Sequence, residues 1–312
     1  MTVTEDPYDD LFAPARDEGY GVRNGRYRFP APPGHQDSPN GWMRTTNLAS
    51  AFSDQERLML WLTWKAMMGL RASDGLLFDE WMATPVEQAD PQQQSWLANQ
   101  LAEQAREVAG GKDAARRGTA RHAMMEHYFT TGGRAGTRAM LLQLDQVIEV
   151  LDRLDYDVVP GSLETKLWHP IAGGVMGTRD ARVMCRRTGR TGVLDWKTQA
   201  NFWTWQEIAG QLYGYDSATH RWVPPFDDRG HWEEAEVNDL YGRPGTRLWD
   251  RRVAIVVHMP LGGPVCVKQV DLEYGREVLE VAARNVELRS VGRSKSAQRM
   301  PAEDLTPLLA VE

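Results

Sequence analysis

Residues 175–198 read VMGTRDARVMCRRTGRTGVLDWKT, and this stretch decides how the second half of the chain folds. Two runs that are rich in apolar residues flank RRTGR, a pattern that predicts two antiparallel strands joined by a hairpin. Such a turn pairs residues whose numbers sum to about 375–378, so that Asp180 lies opposite Asp195 or nearly so. Asp195 and Lys197 are two residues apart and therefore share one face of their strand. The hairpin is thus expected to bring two carboxylates and one ammonium group together.

This group of charges has a chemical use. Two neighbouring carboxylates repel each other, which costs stability unless a cation lies between them. Oxygen ligands select a hard divalent ion such as Mg²⁺ or Mn²⁺. A lysine beside a metal-bound water can orient the nucleophile or stabilise charge on a phosphate. Metal-assisted phosphodiester hydrolysis is therefore one role that suits Asp180, Asp195 and Lys197. Judged from these three residues alone, the alternative is a cross-strand ion pair.

Composition restricts the class of protein. The 312 residues are 42% hydrophobic and 25% charged, as in ordinary globular proteins, and the net charge of −7 argues against a protein that coats nucleic acid. Cys185 and Cys266 are too few for a disulfide framework or a four-cysteine metal site. Apolar runs such as LMLWL are too short to span a bilayer, and MTVTEDPYDD is no secretory signal. We expect a cytoplasmic protein that does not enter the membrane.

Periodicity predicts the order of the elements. The segment 1–42 reads as an irregular arm with a short strand at RYRF. Helices are expected at 53–70 after a Ser53–Glu56 capping box, at 89–111, from Asp113, at 136–154, at 202–220 and at 273–291. Strands are expected at 162–169, at 175–186, at 191–198, at 251–260 and at 264–272, with a polar tail at the end. Hairpins combined with a crossover helix give an α/β fold with a mixed central sheet.

Further polar residues are candidates for the same site. Glu164 lies on the strand before Asp180, and His122 in RGTARHAMME is a reasonable Mn²⁺ ligand, with His127 as a competitor. Gln211 and Tyr215 are four apart and share one helix face, where the alternative is packing of the tyrosine against the sheet. Arginine clusters, including Arg117 and Arg121, are either phosphate contacts or solvated surface.

The order RGTARH, Glu164, GTRD, LDWKT and Gln211-x-x-x-Tyr215 resembles the RecB-type nuclease module of the PD-(D/E)XK superfamily. It is most similar to phage-encoded exonucleases related to the CRISPR-adaptation nucleases. The resemblance covers residues 113 to 275 or so, and TTNLASAF at 45–52 resembles the N-terminal part of such phage proteins. It implies a restriction-endonuclease-like core at 111–290, with helices flanking a mixed sheet. An N-terminal arm and helical extension at 1–110 and a polar tail at 291–312 complete the expected organisation.

The resemblance also implies roles for individual residues. Asp180 and Asp195 would be catalytic metal ligands, joined by His122 and the carbonyl of Trp196. Lys197 would be the catalytic lysine and Glu164 a supporting acid. The residues expected to shape the site or contact nucleic acid are Gln211, Tyr215, Arg121 and Arg117. Glu126 matches an acid sometimes found after the histidine, and no role is assigned to it.

The resemblance implies a Mg²⁺- or Mn²⁺-dependent DNA nuclease, and it favours exonuclease over endonuclease activity. It would act on single- or double-stranded ends in phage or bacterial recombination or repair, in a bacterial cell or a phage-infected host. The sequence contains no P-loop, so ATP-driven translocation would need a recombination or helicase partner. Relatives with an iron–sulfur cluster use four cysteines, and two cysteines predict no cluster here. The alternative hypothesis is a catalytically silent DNA- or protein-binding module that retains the nuclease fold.

Overall fold

The computed structural model describes residues 22–293, except for 24–25, 53–55, 75, 78, 80–90, 111–112, 200–203, 225–229 and 261. The helices are α1 (Thr45–Ala49), α2 (Glu56–Ala72), α3 (Pro91–Val108), α4 (Asp113–Thr131), α5 (Arg138–Arg153), α6 (Trp205–Asp216) and α7 (Leu272–Arg293). The first six strands are β1 (Val22–Arg23), β2 (Arg26–Tyr27), β3 (Trp42–Arg44), β4 (Tyr156–Val158), β5 (Thr165–His169) and β6 (Val175–Arg179). The remaining strands are β7 (Ala181–Cys185), β8 (Thr191–Lys197), β9 (His220–Val223), β10 (His231–Glu234), β11 (Val253–His258) and β12 (Cys266–Asp271).

The chain divides into two compact units. The core unit comprises residues 1–53 and 124–312, and the helical unit comprises residues 54–123. In the helical unit α2 packs along α3, and the Lys65 ammonium donates a hydrogen bond to the carbonyl of Ala109 at 2.9 Å. The domain limits predicted at 110 and 290 remain predictions. The compact units nevertheless group the N-terminal strands with the rest of the sheet structure.

Two mixed sheets form the core unit, so the chain is an α/β protein. The seven-stranded sheet has the order β1-β2-β3-β6-β5-β9-β10, and the five-stranded sheet has the order β12-β11-β8-β7-β4. Each contains one parallel pair, β3 with β6 in the first and β8 with β11 in the second. All six residues of β11 are buried, as its apolar sequence VAIVVH suits a strand with neighbours on both sides.

The sheets differ from the single central sheet that the sequence predicted. The expected strand at 175–186 is divided at Asp180: β6 lies in the seven-stranded sheet and β7 in the five-stranded sheet. The described end of the expected arm also joins a sheet, because β2 pairs with β3, with Tyr27 opposite Trp42, and β3 pairs with β6. Parallel pairing between segments so far apart in sequence leaves no local signal, and periodicity could not show it.

Helix α5 shows how local sequence builds the core unit. The Thr137 hydroxyl accepts a hydrogen bond from the backbone N–H of Met140 at 3.2 Å and caps the helix. Met140, Leu144, Val147 and Leu151 recur at helical spacing and are buried. The predicted helix at 136–154 is therefore confirmed to within two residues at each end.

Other predictions have mixed outcomes. The helices expected from Asp113 and at 273–291, and the strands at 251–260 and 264–272, are confirmed with shifts of one or two residues at most of their ends. The helix expected at 202–220 is shorter, since α6 ends at Asp216 and His220 opens β9. Ser53 and residues 294–312 of the predicted tail lie outside the described residues, whereas 291–293 belong to α7. Among the residues that the structure describes, no helix is long and apolar enough to cross a bilayer.

Candidate active site

Asp195 and Lys197 lie at the end of β8, on the face covered by α6. The Lys197 ammonium is 2.7 Å from Oδ2 of Asp195, whose side chain is 1% exposed. Val193, two residues earlier on the same face, packs with Ile208 and Leu212 of α6. The shared face that the sequence predicted is therefore confirmed. It places the Lys197 ammonium next to the buried carboxylate of Asp195.

Asp180 joins them from the junction between β6 and β7. Ala181 pairs with Leu194, which is the predicted register and puts Asp180 and Asp195 at the next position along the two chains. The backbone N–H of Trp196 donates a hydrogen bond to Oδ2 of Asp180 at 2.8 Å. Because Asp180 is the one residue between the two strands, its carboxylate is held at the point where the two sheets meet.

Glu164 approaches from the start of β5. Its backbone N–H donates to the carbonyl of Asp180 at 3.0 Å, and a carboxylate oxygen of each residue lies within 4.8 Å of the other. Glu164 has φ 48°, in the left-handed region that non-glycine residues seldom adopt. Such backbone strain persists where the surrounding structure enforces it, often at functional sites.

Burial, together with the neighbouring charges, perturbs the protonation of Glu164 and Asp180. Burial raises the pKa of Glu164 to about 7, with a contribution from the charge of Glu126 and a smaller one from Asp195, while Lys166 opposes it. Burial also raises the pKa of Asp180 well above its usual range, and the neighbouring charge of Asp195 adds to the effect. Ionising both of these carboxyl groups at once is therefore unfavourable.

Lys197 supplies the balancing positive charge. Burial lowers the pKa of its ammonium, but the charges of Asp195 and Asp180 outweigh burial, and the pKa is raised. Gln211 links this ammonium to the helix: its Oε1 accepts from Lys197 at 3.5 Å, and its Nε2 donates to Oδ1 of Asp195 at 3.5 Å. Lys197 is thus a charged donor that lies beside Asp195 and within reach of Gln211.

Tyr215 completes the site from the next turn of α6. Its hydroxyl accepts a hydrogen bond from Nε2 of Gln211 at 3.1 Å. The ring lies against Gly177 of β6, where an added Cβ would be 2.2 Å from Cε1 of Tyr215. The predicted pair therefore shares one helix face and meets the charged residues, and its contact with nucleic acid remains a prediction. The glycine of GTRD leaves the space that the tyrosine ring occupies.

Trp196 points to the opposite face of β8. Its ring is buried and stacks on Phe129 of α4, with 5.7 Å between the ring centroids and 9° between the planes. This packing holds the strand segment that presents Asp195 and Lys197. The role of the Trp196 carbonyl as a metal ligand remains a prediction.

The remaining predicted residues lie on α4. His122, Arg121 and Arg117 belong to the helical unit, and their roles remain predictions. Arg121 is buried and donates to the carbonyl of Arg117 at 3.0 Å, whereas Arg117 is exposed. In the core unit, Glu126 and His127 are exposed.

Sequence reasoning missed the role of Arg179, the third residue of GTRD. Its side chain is 1% exposed and lies 3.5 Å from Glu236, which is also 2.8 Å from Arg221. Burial lowers the pKa of Arg179 to about 10, against the charge of Glu236, which raises it. The ion cluster anchors the end of β6 next to Asp180. The sequence signal that could have indicated this role is the presence of an arginine within an otherwise mostly apolar strand.

The donor set suits a divalent cation. Oδ2 of Asp195 is fully buried and accepts no well-oriented hydrogen bond from the described residues, although the Lys197 ammonium lies beside it. Carboxylate oxygens of Asp180 and Glu164 lie within 4.8 Å of each other, an oxygen-rich pair of the kind that binds Mg²⁺ or Mn²⁺, and Asp195 lies on the adjacent strand β8. An ion there would offset the repulsion that adds to burial in raising the pKa values of Glu164 and Asp180.

Sequence comparison assigns no family to this site. The chain matches no model of a known protein family, and no curated protein resembles it by sequence.

Proposed function

We propose that the protein is a metal-dependent DNA nuclease with a restriction-endonuclease-like core, and that the described site hydrolyses phosphodiester bonds. The observation that carries this proposal is the ammonium of Lys197 2.7 Å from the buried Asp195, with Asp180 placed beside them by the strand register. A binding module gains nothing from buried acids where an anionic phosphate must approach, because each adds repulsion and desolvation cost. Catalysis of phosphodiester hydrolysis, in contrast, accounts for the presence of these acids.

Asp180, Asp195 and Glu164 would hold the ion, which when bound would polarise the phosphate and lower the pKa of a coordinated water. Lys197 keeps its proton, since its pKa is raised, and can donate to a phosphate oxygen or to the attacking water. Gln211 keeps the lysine in position, and Tyr215 keeps the glutamine in position. The chain thus provides a directed positive charge at the reacting phosphate.

Activity on linear and circular DNA tests this function. Purified protein is incubated with end-labelled single- and double-stranded DNA and with closed circles, in Mg²⁺, Mn²⁺ or EDTA. We expect the wild type to degrade linear DNA only with metal and to leave circles intact, as an exonuclease does. Lys197→Met and Asp195→Asn should lower the cleavage rate at least about 100-fold, the usual range for a charged catalytic donor.

Lys268→Met is the matched control, because Lys268 is an exposed lysine on β12. It should cleave at the wild-type rate. A wild type that binds DNA but leaves every substrate intact would instead support the silent binding module. Cleavage by Lys197→Met at the wild-type rate would refute the assignment of the site.

A further inference from the structure

Cys266 and His258 form a second polar pair, outside the group of acids. Cys266 opens β12 and lies opposite His258 at the end of β11. The Cys266 sulfur is 3.8 Å from Nδ1 of His258, a hydrogen-bond distance for sulfur. The histidine is buried, with 9% of its surface exposed, whereas Cys266 is partly exposed. The imidazole is therefore enclosed by the protein, while Cys266 borders solvent.

A third group fixes how the imidazole is protonated. Nε2 of His258 lies 2.7 Å from the backbone carbonyl of Gln199. A carbonyl can only accept a hydrogen bond, so Nε2 carries the proton of the neutral ring and Nδ1 presents a lone pair. The thiol must then be the donor to Nδ1. A nucleophile, a base within hydrogen-bond reach and a group that orients the base together mark an activated nucleophile.

We propose that Cys266 is a nucleophilic thiol, activated by His258, and a site of covalent modification by peroxides and alkylating electrophiles. His258 Nδ1 accepts the thiol proton, and the thiolate attacks the electrophile. With a peroxide, sulfur bonds to one oxygen, the O–O bond breaks, and the second oxygen leaves as water or alcohol after taking the proton from His258. The sulfur is oxidised to sulfenic acid and the peroxide is reduced.

The pair also neighbours the candidate active site, although the inference does not depend on the proposed function. His258 lies opposite Lys197 in the parallel pairing of β11 with β8. The next residue, Met259, donates its backbone N–H to the carbonyl of Lys197 at 2.7 Å. A group added to Cys266 would therefore lie two strands from the lysine, on one row of the sheet.

Cys185, the other cysteine of the chain, is an internal comparison. It ends β7, and although burial raises the pKa of its thiol, hydrogen bonds from Thr188 and from the backbone outweigh burial, so that the pKa is lowered. Its reactivity thus has a cause of its own that does not involve His258.

The test uses the full chain with Cys185→Ser, in which Cys266 is the one thiol left. Its alkylation by iodoacetamide under native conditions is followed by mass spectrometry, with and without His258→Asn. We expect the histidine substitution to slow the reaction at least about tenfold, and dimedone trapping after hydrogen peroxide to fall equally. In the Cys266→Ser chain, the Cys185 rate should be the same with and without His258→Asn.

An unchanged Cys266 rate in His258→Asn would overturn the proposal. If the Cys185 rate also changes, the substitution has disturbed the fold, and a second measurement decides. The Cys185→Ser chain is then alkylated in its native state and in urea. Activation predicts a faster reaction in the native state by about tenfold, in spite of partial burial, and a slower native reaction would overturn the proposal.

Discussion

Lys197 and Glu164 show how the same group of acids acts differently on each side chain. The negative charges of Asp195 and Asp180 keep Lys197 protonated against the effect of burial. Burial and the nearby negative charges keep Glu164 protonated to a higher pH than an exposed glutamate. Of these residues, Asp195 and Lys197 were readily predicted, because spacing alone places them on one face. The strained backbone of Glu164 had no sequence signal, since it depends on contacts with the Asp180 backbone.

The pKa of Glu164 predicts how stability changes with pH. In EDTA, the folded chain holds a proton on Glu164 up to about pH 7, whereas the unfolded chain releases it near 4.5. The folded state binds more protons between these values, so this residue makes stability fall as pH rises. We expect the free energy of unfolding, wild type minus Glu164→Gln, to drop by about 2 kcal/mol from pH 5 to pH 8.

Urea unfolding at several pH values measures this difference. Glu234→Gln serves as control, because it removes an exposed carboxylate on β10, and the change with pH should be larger for Glu164→Gln than for this variant. A Glu164→Gln protein whose pH profile parallels that of the wild type would show that the carboxyl group titrates normally.

Among the elements, the β7–β8 hairpin was the most predictable. Its turn residues fix the register, and Ala181 opposite Leu194 matches the expected sum. The change of sheet at Asp180 was not predictable, because an unbroken strand and a divided one have the same alternation. Strands β3 and β9 were missed for a related reason: their partners β6 and β5 lie far away in sequence. Local patterns specify a strand's faces, but not its neighbours.

Gly177 in β6 gives a prediction at this scale. A methyl group there would lie 2.2 Å from the Tyr215 ring and 2.9 Å from the Thr45 hydroxyl, so the ring must move. Gly177→Ala should cost about 1–3 kcal/mol of stability and also lower DNA cleavage, because Tyr215 positions Gln211. Thermal unfolding and nuclease assays below the melting temperature check both effects.

Gly192→Ala is the matched control, since its methyl group would lie 2.7 Å from Leu240, an apolar neighbour. It should lose comparable stability and keep its cleavage rate per folded molecule. Full activity in Gly177→Ala would argue against a positioning role for Tyr215.

At the scale of the whole molecule, the described acids, Lys197 and the Gln211–Tyr215 pair all lie in the core unit. They come from the start of β5, the β6–β7 junction, the end of β8 and helix α6, so the site exists only when both sheets have formed. Binding of an ion to the acids must therefore stabilise the folded core unit as a whole.

Metal binding should accordingly raise the melting temperature. At a free ion concentration about 100-fold above its Kd, linkage adds about 2.7 kcal/mol, which corresponds to roughly 5–10 °C. We expect Mn²⁺ or Mg²⁺ to produce this shift relative to EDTA in scanning calorimetry, and Asp180→Asn or Asp195→Asn to abolish it. Asp145→Asn, at an exposed ion pair with Arg134, should retain it. Equal shifts in all the variants would place the ion elsewhere.

The single residue between β6 and β7 has a mechanical consequence. Asp180 belongs to neither sheet, yet it is covalently joined to both, and its carboxylate is bonded to the backbone of β8. We therefore expect any displacement of one sheet relative to the other to be accommodated at Asp180, which carries one of the acids of the candidate site. Substitutions in the seven-stranded sheet, even outside the site, would then act on this acid through a single residue.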